Sequence, residues 1–337
     1  NCIGYNRMSG VIDDNKKYDN VYDVYMEYLS ANPDDRFNYS NVWERQSNDT
    51  HPPFYYVILH TICSIFPGTF SIWYAGIINV IFGVLIIFVL NKMLLNIYKL
   101  DDCWMRAMII IGFVGAATHI VTFLRMYMML MFFTVLMSYL LVSHTDKPYG
   151  IRDYLILYIV SVSGALTHYY FIIYVGLVCI TFGVVLIIQK RWREILWFCI
   201  TMFLAGISSV LSFSAMIRHL LGGKRGAQSI NNLKDSSMSD YIQKLINYFK
   251  VVNGEVYGGL ALWIAIIMCI IVLANIFILK KKYHKVSNIT IQKFLILLLP
   301  SIIFFMFVAK SAELQSARYI SPIFVIIYVL FWGMVLY

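Results

Sequence analysis

The chain has 337 residues, of which 60% are hydrophobic and only 13% are charged. A soluble domain would carry roughly a quarter charged residues, so this composition excludes a soluble globular protein. The net charge of +9 would suit a nucleic-acid-binding protein. Most of the basic residues, however, stand in short loops beside apolar runs, which is the pattern of a membrane protein and argues against nucleic acid as a partner.

The first 52 residues are acidic, rich in Asn and Tyr, and contain no long apolar run. Between Val21 and Leu29, apolar and aromatic residues recur at near-helical spacing, which is typical of a short amphipathic helix on a membrane surface. We expect residues 1–52 to form an external loop that carries short juxtamembrane helices. Because the chain starts without a methionine or signal peptide and ends inside an apolar run, we interpret it as a fragment that lacks at least one upstream span.

A helix is predicted to begin at Pro53 and to end before Pro67-Gly68, since two prolines start a helix cleanly and a Pro-Gly pair breaks one. Residues 53–66 would extend roughly 21 Å, against a hydrocarbon core of about 30 Å. We therefore expect a re-entrant or interfacial helix. It opens the transmembrane bundle, to which we assign residues 53–337.

Apolar blocks of about the length needed to cross a bilayer follow along the rest of the chain. They predict an all-α polytopic membrane protein with about nine transmembrane helices. The blocks are 70–90, 104–123, 126–143, 153–167, 169–188, 195–216, 258–279, 292–309 and 319–337.

Lysine and arginine counts in the short loops give the orientation, because cytoplasmic loops carry an excess of both. One set of short loops is rich in these residues, whereas the opposite short joints hold only Arg125, Lys310 and Arg318. The basic set is predicted to be cytoplasmic, which leaves the joint at His168 and the loop 217–257 outside a plasma membrane. The basic set comprises Lys92, Lys99, Arg106, Lys147, Arg152, Lys190, Arg191, Arg193, Lys280, Lys281, Lys282, Lys285 and Lys293.

Polar clusters at the predicted external face form the candidate site. Ionisable groups this close to hydrocarbon are expensive, so they indicate function by default. The clusters are His51-Pro52-Pro53, Arg125-Met126-Tyr127, His168-Tyr169-Tyr170, Lys224-Arg225 and Arg318-Tyr319.

Each cluster has a functional interpretation and a structural one. Asp49 and His51 precede a helix N-terminus, where partial positive charge favours a phosphate, although a plain capped helix start explains them equally well. Arg125 could hold a phosphate with its planar guanidinium or extend to lipid headgroups. Tyr127 could stack on a substrate or belong to an interfacial aromatic belt.

The remaining clusters are also open to two interpretations. His168 lies in a tight hairpin and either contacts a ligand or satisfies backbone groups. Gly-Gly-Lys-Arg-Gly at 222–226 is read as a flexible basic loop that could bind an anion through Arg225 or remain solvated. Arg318 again stands beside a tyrosine at an external span entry. Together these cations suit the phosphate of an anionic lipid, with an external carboxylate as base.

The cysteines and histidines give no indication of a metal site. The six cysteines are scattered and include no C-x-x-C pair, so we interpret them as small apolar packing residues. No two ligands stand four residues apart on a predicted helix, so zinc is not expected. We predict no cofactor, and a divalent metal is not indicated.

The chain resembles integral-membrane glycosyltransferases of the GT-C type, in particular the bacterial group related to protein O-mannosyltransferases and lipid A aminoarabinose transferases. His51-Pro52-Pro53-Phe54-Tyr55-Tyr56 is similar to that group's HPPLYY element. Leu124 to Tyr127, Thr167 to Tyr170, and Arg318 to Pro322 follow in matching order.

The resemblance implies a polyprenyl-phosphate sugar as donor, bound from the outer leaflet and transferred to an external acceptor of unidentified type. It assigns the donor phosphate to His51, Arg125, Tyr127, His168, Tyr169, Arg225, Arg318 and Tyr319. The family's Asp-Glu pair after its first span has no counterpart here. The catalytic base is therefore expected upstream of residue 1, or else Asp49 replaces it.

The same residues also fit two other functions. A transporter or flippase for an anionic lipid would use the same arginines, but it needs polar groups near the middle of the membrane. A non-catalytic lipid-binding membrane protein would need the arginines alone.

Overall fold

The computed structural model describes residues 29–98, 107–108, 120–235, 237–278, 287–312 and 314–336. Within these residues the chain forms helices and no strand, so the predicted all-α class is confirmed for them. A 3-10 turn at Pro33–Asp35 precedes the first α-helix. The α-helices are α1 Tyr39–Asn48, α2 Phe54–Ile65, α3 Ile72–Tyr98, α4 Tyr127–Ser143, α5 Ile151–Ala165, α6 Tyr169–Ile188, α7 Trp192–Ser212, α8 Ala215–Leu221, α9 Lys224–Asp235, α10 Met238–Glu255, α11 Ala261–Ile278, α12 Asn288–Ser311 and α13 Ala317–Leu336.

Helices occupy every predicted apolar block except 104–123, most of which lies outside the described residues. Four of them, α3, α6, α7 and α12, are long and apolar enough to cross a membrane. The chain is therefore a helical membrane protein, while the predicted count of nine spans is not confirmed. The amphipathic segment predicted at 21–29 also lies almost entirely outside the described residues.

The surface of the bundle is apolar where that of a soluble protein would be charged. On α3, Trp73 is 70% exposed, and on α7 Leu211 is 78% exposed. Rows of exposed Ile, Leu and Phe continue along α6, α7 and α12. Contiguous apolar patches of this extent mark a membrane-facing surface, because exposing so much apolar area to water is unfavourable in free energy.

Helix α4 is the centre of the bundle. Nearly every residue from Tyr127 to Ser143 is buried, and α3, α5, α6, α12 and α13 all pack against it. Its few polar groups are satisfied internally: the Ser138 hydroxyl lies 2.8 Å from the Tyr174 hydroxyl, and Thr134 donates to its own helix. Buried polar groups must be paired in this way in a low-dielectric interior.

The bundle has two chemically different ends. At one end, which we call the site end, α2, α4, α6 and α13 begin, and α5, α7 and α12 end. The hairpin between α5 and α6 is tight there because Gly164 allows the Phe171 ring to lie directly on the α5 backbone, where a Cβ atom would clash with it. At the opposite end, which we call the basic end because its short loops carry lysines and arginines, α4 and α6 end, and α5, α7 and α12 begin.

An ion-pair network closes the basic end. Lys293 on α12 is 3% exposed, and its ammonium donates to the Asp146 carboxylate (3.2 Å) and to the Asn96 side-chain oxygen (2.9 Å). Arg191 donates to Glu194 and to the backbone carbonyls of His144 and Thr145. These contacts join α3, the α4–α5 loop, the start of α7 and α12.

The structure differs from the sequence predictions for the segment 217–257 and for the cysteines, and it agrees with the prediction for the helix at 53–66. The segment 217–257 was expected to be an external loop, but it is largely helical and forms most of α8, all of α9 and all of α10. Helix α2 has the short length predicted for 53–66, and Gly68 with a φ of 69° lies in the turn beyond it. The cysteines are not all packing residues, because Cys63 is disulfide-bonded.

We expect Lys293→Met to destabilise the protein by about 1–3 kcal/mol, because it leaves the Asp146 carboxylate and the half-buried oxygens of Asn96 without their donor. Thermal unfolding of the protein in lipid nanodiscs measures the effect. Lys147→Met, an exposed lysine of the same end, is the matched control and should unfold like wild type. Equal stability of the two variants would contradict the structural role of Lys293.

Candidate functional site

The site end brings four of the predicted clusters together, because each stands at the start of a helix. His51 precedes α2, Arg125 precedes α4, His168 precedes α6, and Arg318 lies in the first turn of α13. A helix N-terminus carries partial positive charge and unsatisfied N–H groups. Four such ends at one place give a positive potential even before the side chains are counted.

The two histidine clusters meet through the backbone. The N–H of Phe54 donates to the carbonyl of Leu166 at 3.0 Å, which fixes the start of α2 against the α5–α6 hairpin. The rings of His51 and His168 consequently lie 5.7 Å apart, and both side chains are buried. The Nδ1 atom of His168 accepts from the N–H of Tyr170 at 3.1 Å, so in the neutral ring Nε2 carries the proton.

Aromatic rings from α4, α6 and α13 form a continuous layer, which we call the ring layer: Tyr127, His168, Tyr170 and Tyr319. The ring centroids lie 5.5 Å apart for Tyr127 and His168, 6.2 Å for Tyr127 and Tyr319, and 5.4 Å for Tyr170 and Tyr319. His168 and Tyr170 stack at 5.1 Å. The layer unites residues that are almost 200 positions apart in the chain.

Two arginines lie close to this layer. The guanidinium carbons of Arg125 and Arg318 lie 5.9 Å and 5.1 Å from the centroid of the same ring, Phe123. Arg318 also lies 5.8 Å from the Tyr127 ring and 5.1 Å from the Tyr319 ring. Such cation–π contacts each contribute about 0.5–2 kcal/mol. Two positive charges around a single ring form a place that an anion would stabilise.

The position of Phe123 is itself fixed by a buried amide. The side-chain nitrogen of Asn79 donates to the carbonyl oxygens of Val121 (3.1 Å) and Phe123 (3.0 Å). The backbone N–H of Arg125 donates a hydrogen bond to the Phe123 carbonyl, and this bond closes the turn before α4. Asn79 on α3 therefore orients the turn that carries Arg125.

Several neighbours of the arginines were not assigned a role from the sequence. The phenol of Tyr56 lies within the electrostatic influence of both Asp49 and Arg125, and Tyr55 lies near Arg125. Glu255 on α10 accepts from the N–H of Ala317 at 3.1 Å and supports the charge of Arg318. The repeated tyrosines of the 51–56 element were a signal for the first two, whereas nothing in the sequence indicated Glu255.

Three rings of the ring layer, His168, Tyr170 and Tyr319, line a partly open cavity of about 570 Å³. Asp49, His51, His168, Tyr169 and Tyr319 line it, so five of the predicted site residues share one cavity. Arg125, Tyr127 and Arg318 do not belong to the described lining. Tyr319 touches both regions, since it lines the cavity and its ring lies against the Arg318 guanidinium.

Arg225 requires a correction. The run 222–226 is not a flexible basic loop, because α9 begins at Lys224 and Arg225 lies in its first turn; the side chain of Arg225 is outside the described part. A Cβ atom on Gly226 would clash with the backbone carbonyls of His219 and Leu220. The glycines therefore allow α8 and α9 to turn tightly against each other.

Helix α9 forms one side of the cavity with a stripe at helical spacing: Gly226, Ser229, Ile230 and Leu233. The Asn232 side chain fixes it to the bundle by donating to the Ser311 carbonyl at 3.2 Å. On α8, Arg218 and His219 also line the cavity and were missed from the sequence. Their signal was the basic pair itself, which stands in the segment expected outside.

The site contains little that suits a metal. Among the described residues, no group of three or more His, Cys, Asp and Glu side chains could hold a metal ion. Asp49 is the only carboxylate in the described cavity lining, where it accompanies hydroxyl, amide and imidazole groups and the guanidinium of Arg218. The arrangement can bind an anion beside the arginines and a neutral polar group in the cavity.

Comparisons with known proteins found nothing similar: no family model matches the chain, and no curated protein or solved structure matches it either.

We expect Gly226→Ala to destabilise the protein by about 1–3 kcal/mol, because the added methyl group must displace α9 from α8. Gly254→Ala on α10 is the matched control, since open space surrounds Gly254. Alanine there should be neutral or should stabilise by up to about 1 kcal/mol. Thermal unfolding in nanodiscs compares the two, and a Gly226→Ala protein as stable as wild type would contradict the tight turn.

Proposed function

We propose that this protein is a membrane glycosyltransferase that moves a sugar from a polyprenyl-phosphate donor to an acceptor on the outer face of the plasma membrane. The observation that carries the proposal is the pair Arg125 and Arg318 around Phe123, beside a cavity that holds Asp49. The resemblance of the HPPFYY element to GT-C enzymes supplies the reaction class. The comparisons neither support nor oppose that likeness.

The arginine pair suits the donor phosphate. Guanidinium groups form paired, charge-assisted hydrogen bonds with phosphate oxygens. The starts of α2, α4, α6 and α13 add positive potential at the same end. Within the described residues Arg318 has no ion pair shorter than 4 Å, so its guanidinium retains hydrogen-bonding capacity for a ligand.

The cavity suits the sugar and the acceptor. Its volume of about 570 Å³ falls within the range of small-molecule sites. In the proposed reaction the acceptor hydroxyl attacks the anomeric carbon while Asp49 takes the proton. The bond from that carbon to the phosphate oxygen breaks, and the departing polyprenyl phosphate keeps the electron pair beside the arginines. The breaking bond would lie near Tyr319, which borders both regions.

Two features support an external site: a disulfide, and the loop composition from which the sidedness was predicted. Disulfides form and persist in oxidising, extracytoplasmic environments, and Cys63 near the finish of α2 is disulfide-bonded. The opposite end holds Lys147, Arg152, Lys190 and Arg193 in short joints, which is the composition of a cytoplasmic face. Both features favour the sidedness inferred from the sequence.

Arg125→Ala should weaken binding of polyprenyl phosphate by roughly 10- to 100-fold, because a charge-assisted hydrogen bond contributes about 1.5–3 kcal/mol. Native mass spectrometry or a fluorescence titration in nanodiscs measures the dissociation constant. Arg152→Ala, an exposed arginine at the basic end, is the control and should bind like wild type. Unchanged affinity in Arg125→Ala would remove Arg125 from the donor site and contradict the proposal.

Asp49→Asn should abolish sugar transfer while leaving polyprenyl-phosphate binding intact, since the amide cannot accept the acceptor's proton. Release of polyprenyl phosphate from a radiolabelled polyprenyl-phosphate sugar, with membrane extract as the source of acceptor, measures turnover. Full activity in Asp49→Asn would assign the base elsewhere. Donor binding without turnover in wild type would instead favour the non-catalytic lipid-binding function, and movement of the intact lipid between leaflets would favour the flippase.

A further inference from the structure

His219 forms a hydrogen-bonded chain with two residues from distant parts of the sequence. Its Nε2 atom lies 2.9 Å from the Ser47 carbonyl oxygen, and its Nδ1 atom lies 2.7 Å from the Tyr169 hydroxyl. A carbonyl oxygen can only accept, so Nε2 must carry the proton. In the neutral imidazole Nδ1 is then an acceptor, and the Tyr169 hydroxyl must donate to it.

The ring of His219 is held firmly in this orientation. Its side chain is buried, with the Phe213 ring at 5.7 Å and the Tyr169 ring at 5.9 Å, both edge-on. Arg218, the preceding residue on α8, also donates to the Ser47 carbonyl. Helix α8 is thereby fixed to the last turn of α1, shortly before His51.

This chain of contacts decides what Tyr169 offers to the cavity. Tyr169 and His219 both line the cavity, and Tyr169 is half-buried. Because its only proton is directed to His219, the Tyr169 oxygen presents acceptor lone pairs alone to a ligand. The Asp49 carboxylate in the same lining is an acceptor as well. A ligand group that contacts Tyr169 or Asp49 must therefore be a hydrogen-bond donor, whereas Arg218 in the same lining is itself a donor.

The other walls of the cavity suit a sugar ring. His168, Tyr170 and Tyr319 contribute aromatic surface to the lining. Aromatic faces pack well against the C–H groups of a pyranose or furanose, whose hydroxyls then point to the polar wall. A phosphate, which has no hydroxyl to donate when doubly ionised, would not be stabilised at Tyr169.

We propose that Tyr169 and His219, oriented by the Ser47 carbonyl, form a hydroxyl-binding subsite for a neutral glycosyl group. The inference rests on the proposed function for its biological role, because it separates the sugar site from the phosphate site at the arginines. Tyr169 binds the hydroxyl directly, and His219 is a positioning residue that sets the direction of the Tyr169 proton.

The test uses the full chain in lipid nanodiscs and a panel of methyl glycosides of glucose, mannose, galactose and arabinose. Saturation-transfer NMR identifies binding and gives dissociation constants. Tyr169→Phe keeps the ring and removes the oxygen, so we expect affinity for the bound glycoside to fall roughly three- to tenfold, the effect of one neutral hydrogen bond. Tyr158→Phe is the matched control, because Tyr158 donates to Ser208 at 2.7 Å outside the described cavity lining.

A spectroscopic measurement tests the orientation itself. In ¹⁵N-histidine-labelled wild type at neutral pH, we expect His219 with Nε2 protonated and Nδ1 unprotonated. Tyr169→Phe should shift the Nδ1 resonance and leave the Nε2 proton in place, a response that loss of packing alone would not produce. A wild-type spectrum with the proton on Nδ1 overturns the proposal.

The outcomes separate this inference from the proposed function. No binding by any of the four glycosides, or equal affinity in wild type and Tyr169→Phe, overturns the subsite even if the arginines bind polyprenyl phosphate. Weaker glycoside binding in Tyr169→Phe, with polyprenyl-phosphate binding retained, supports it. If Arg125→Ala leaves polyprenyl-phosphate binding unchanged while Tyr169→Phe weakens glycoside binding, the transferase proposal fails and the glycoside subsite stands.

Discussion

The burial of α4 on all sides is the constraint on which the rest of the arrangement depends. A helix surrounded by five others inside an apolar bundle cannot carry charged groups along its length without a large desolvation cost. Charged residues are therefore confined to the two ends of α4 and the loops beside them. Arg125 and Tyr127 stand at one end, while the loop with Asp146 follows the other. The same constraint acts on α6 and α12, so the polar side chains of the bundle separate into two distant groups.

The division between the ends explains much of what the sequence could predict. Each polar cluster follows or precedes an apolar block, and alternation of the blocks assigns it to a side without knowledge of any contact. Thus His51, Arg125, His168 and Arg318 were all expected at one face, and the structure connects them through the ring layer and Phe123. The side of a polar cluster can be predicted without knowing which residues it contacts, because the free-energy cost of burying a charge in the membrane is a property of the charged residue itself.

What the sequence could not provide depends on contacts between distant residues. The basic run at 222–226 has the composition of a flexible loop, and only the approach of Gly226 to the backbone of His219 and Leu220 shows that it is a tight helical turn. The partner of His219 is the carbonyl of Ser47, which is 172 positions away. A carbonyl oxygen has no sequence signature. The disulfide of Cys63 was missed for a similar reason, since spacing alone does not identify a partner.

The ring layer adjoins two chemically different regions. In the first, rings replace water around the guanidinium groups of Arg125 and Arg318, and this lower polarity strengthens their attraction for an anion. In the second, Asp49 and Tyr169 line a water-accessible cavity and accept hydrogen bonds there. A sugar phosphate contains both chemistries, an anionic ester and a neutral ring with hydroxyl groups. If such a molecule binds in one piece, the bond between its two parts must lie near Tyr319, because Tyr319 lines the cavity and its ring lies against the Arg318 guanidinium.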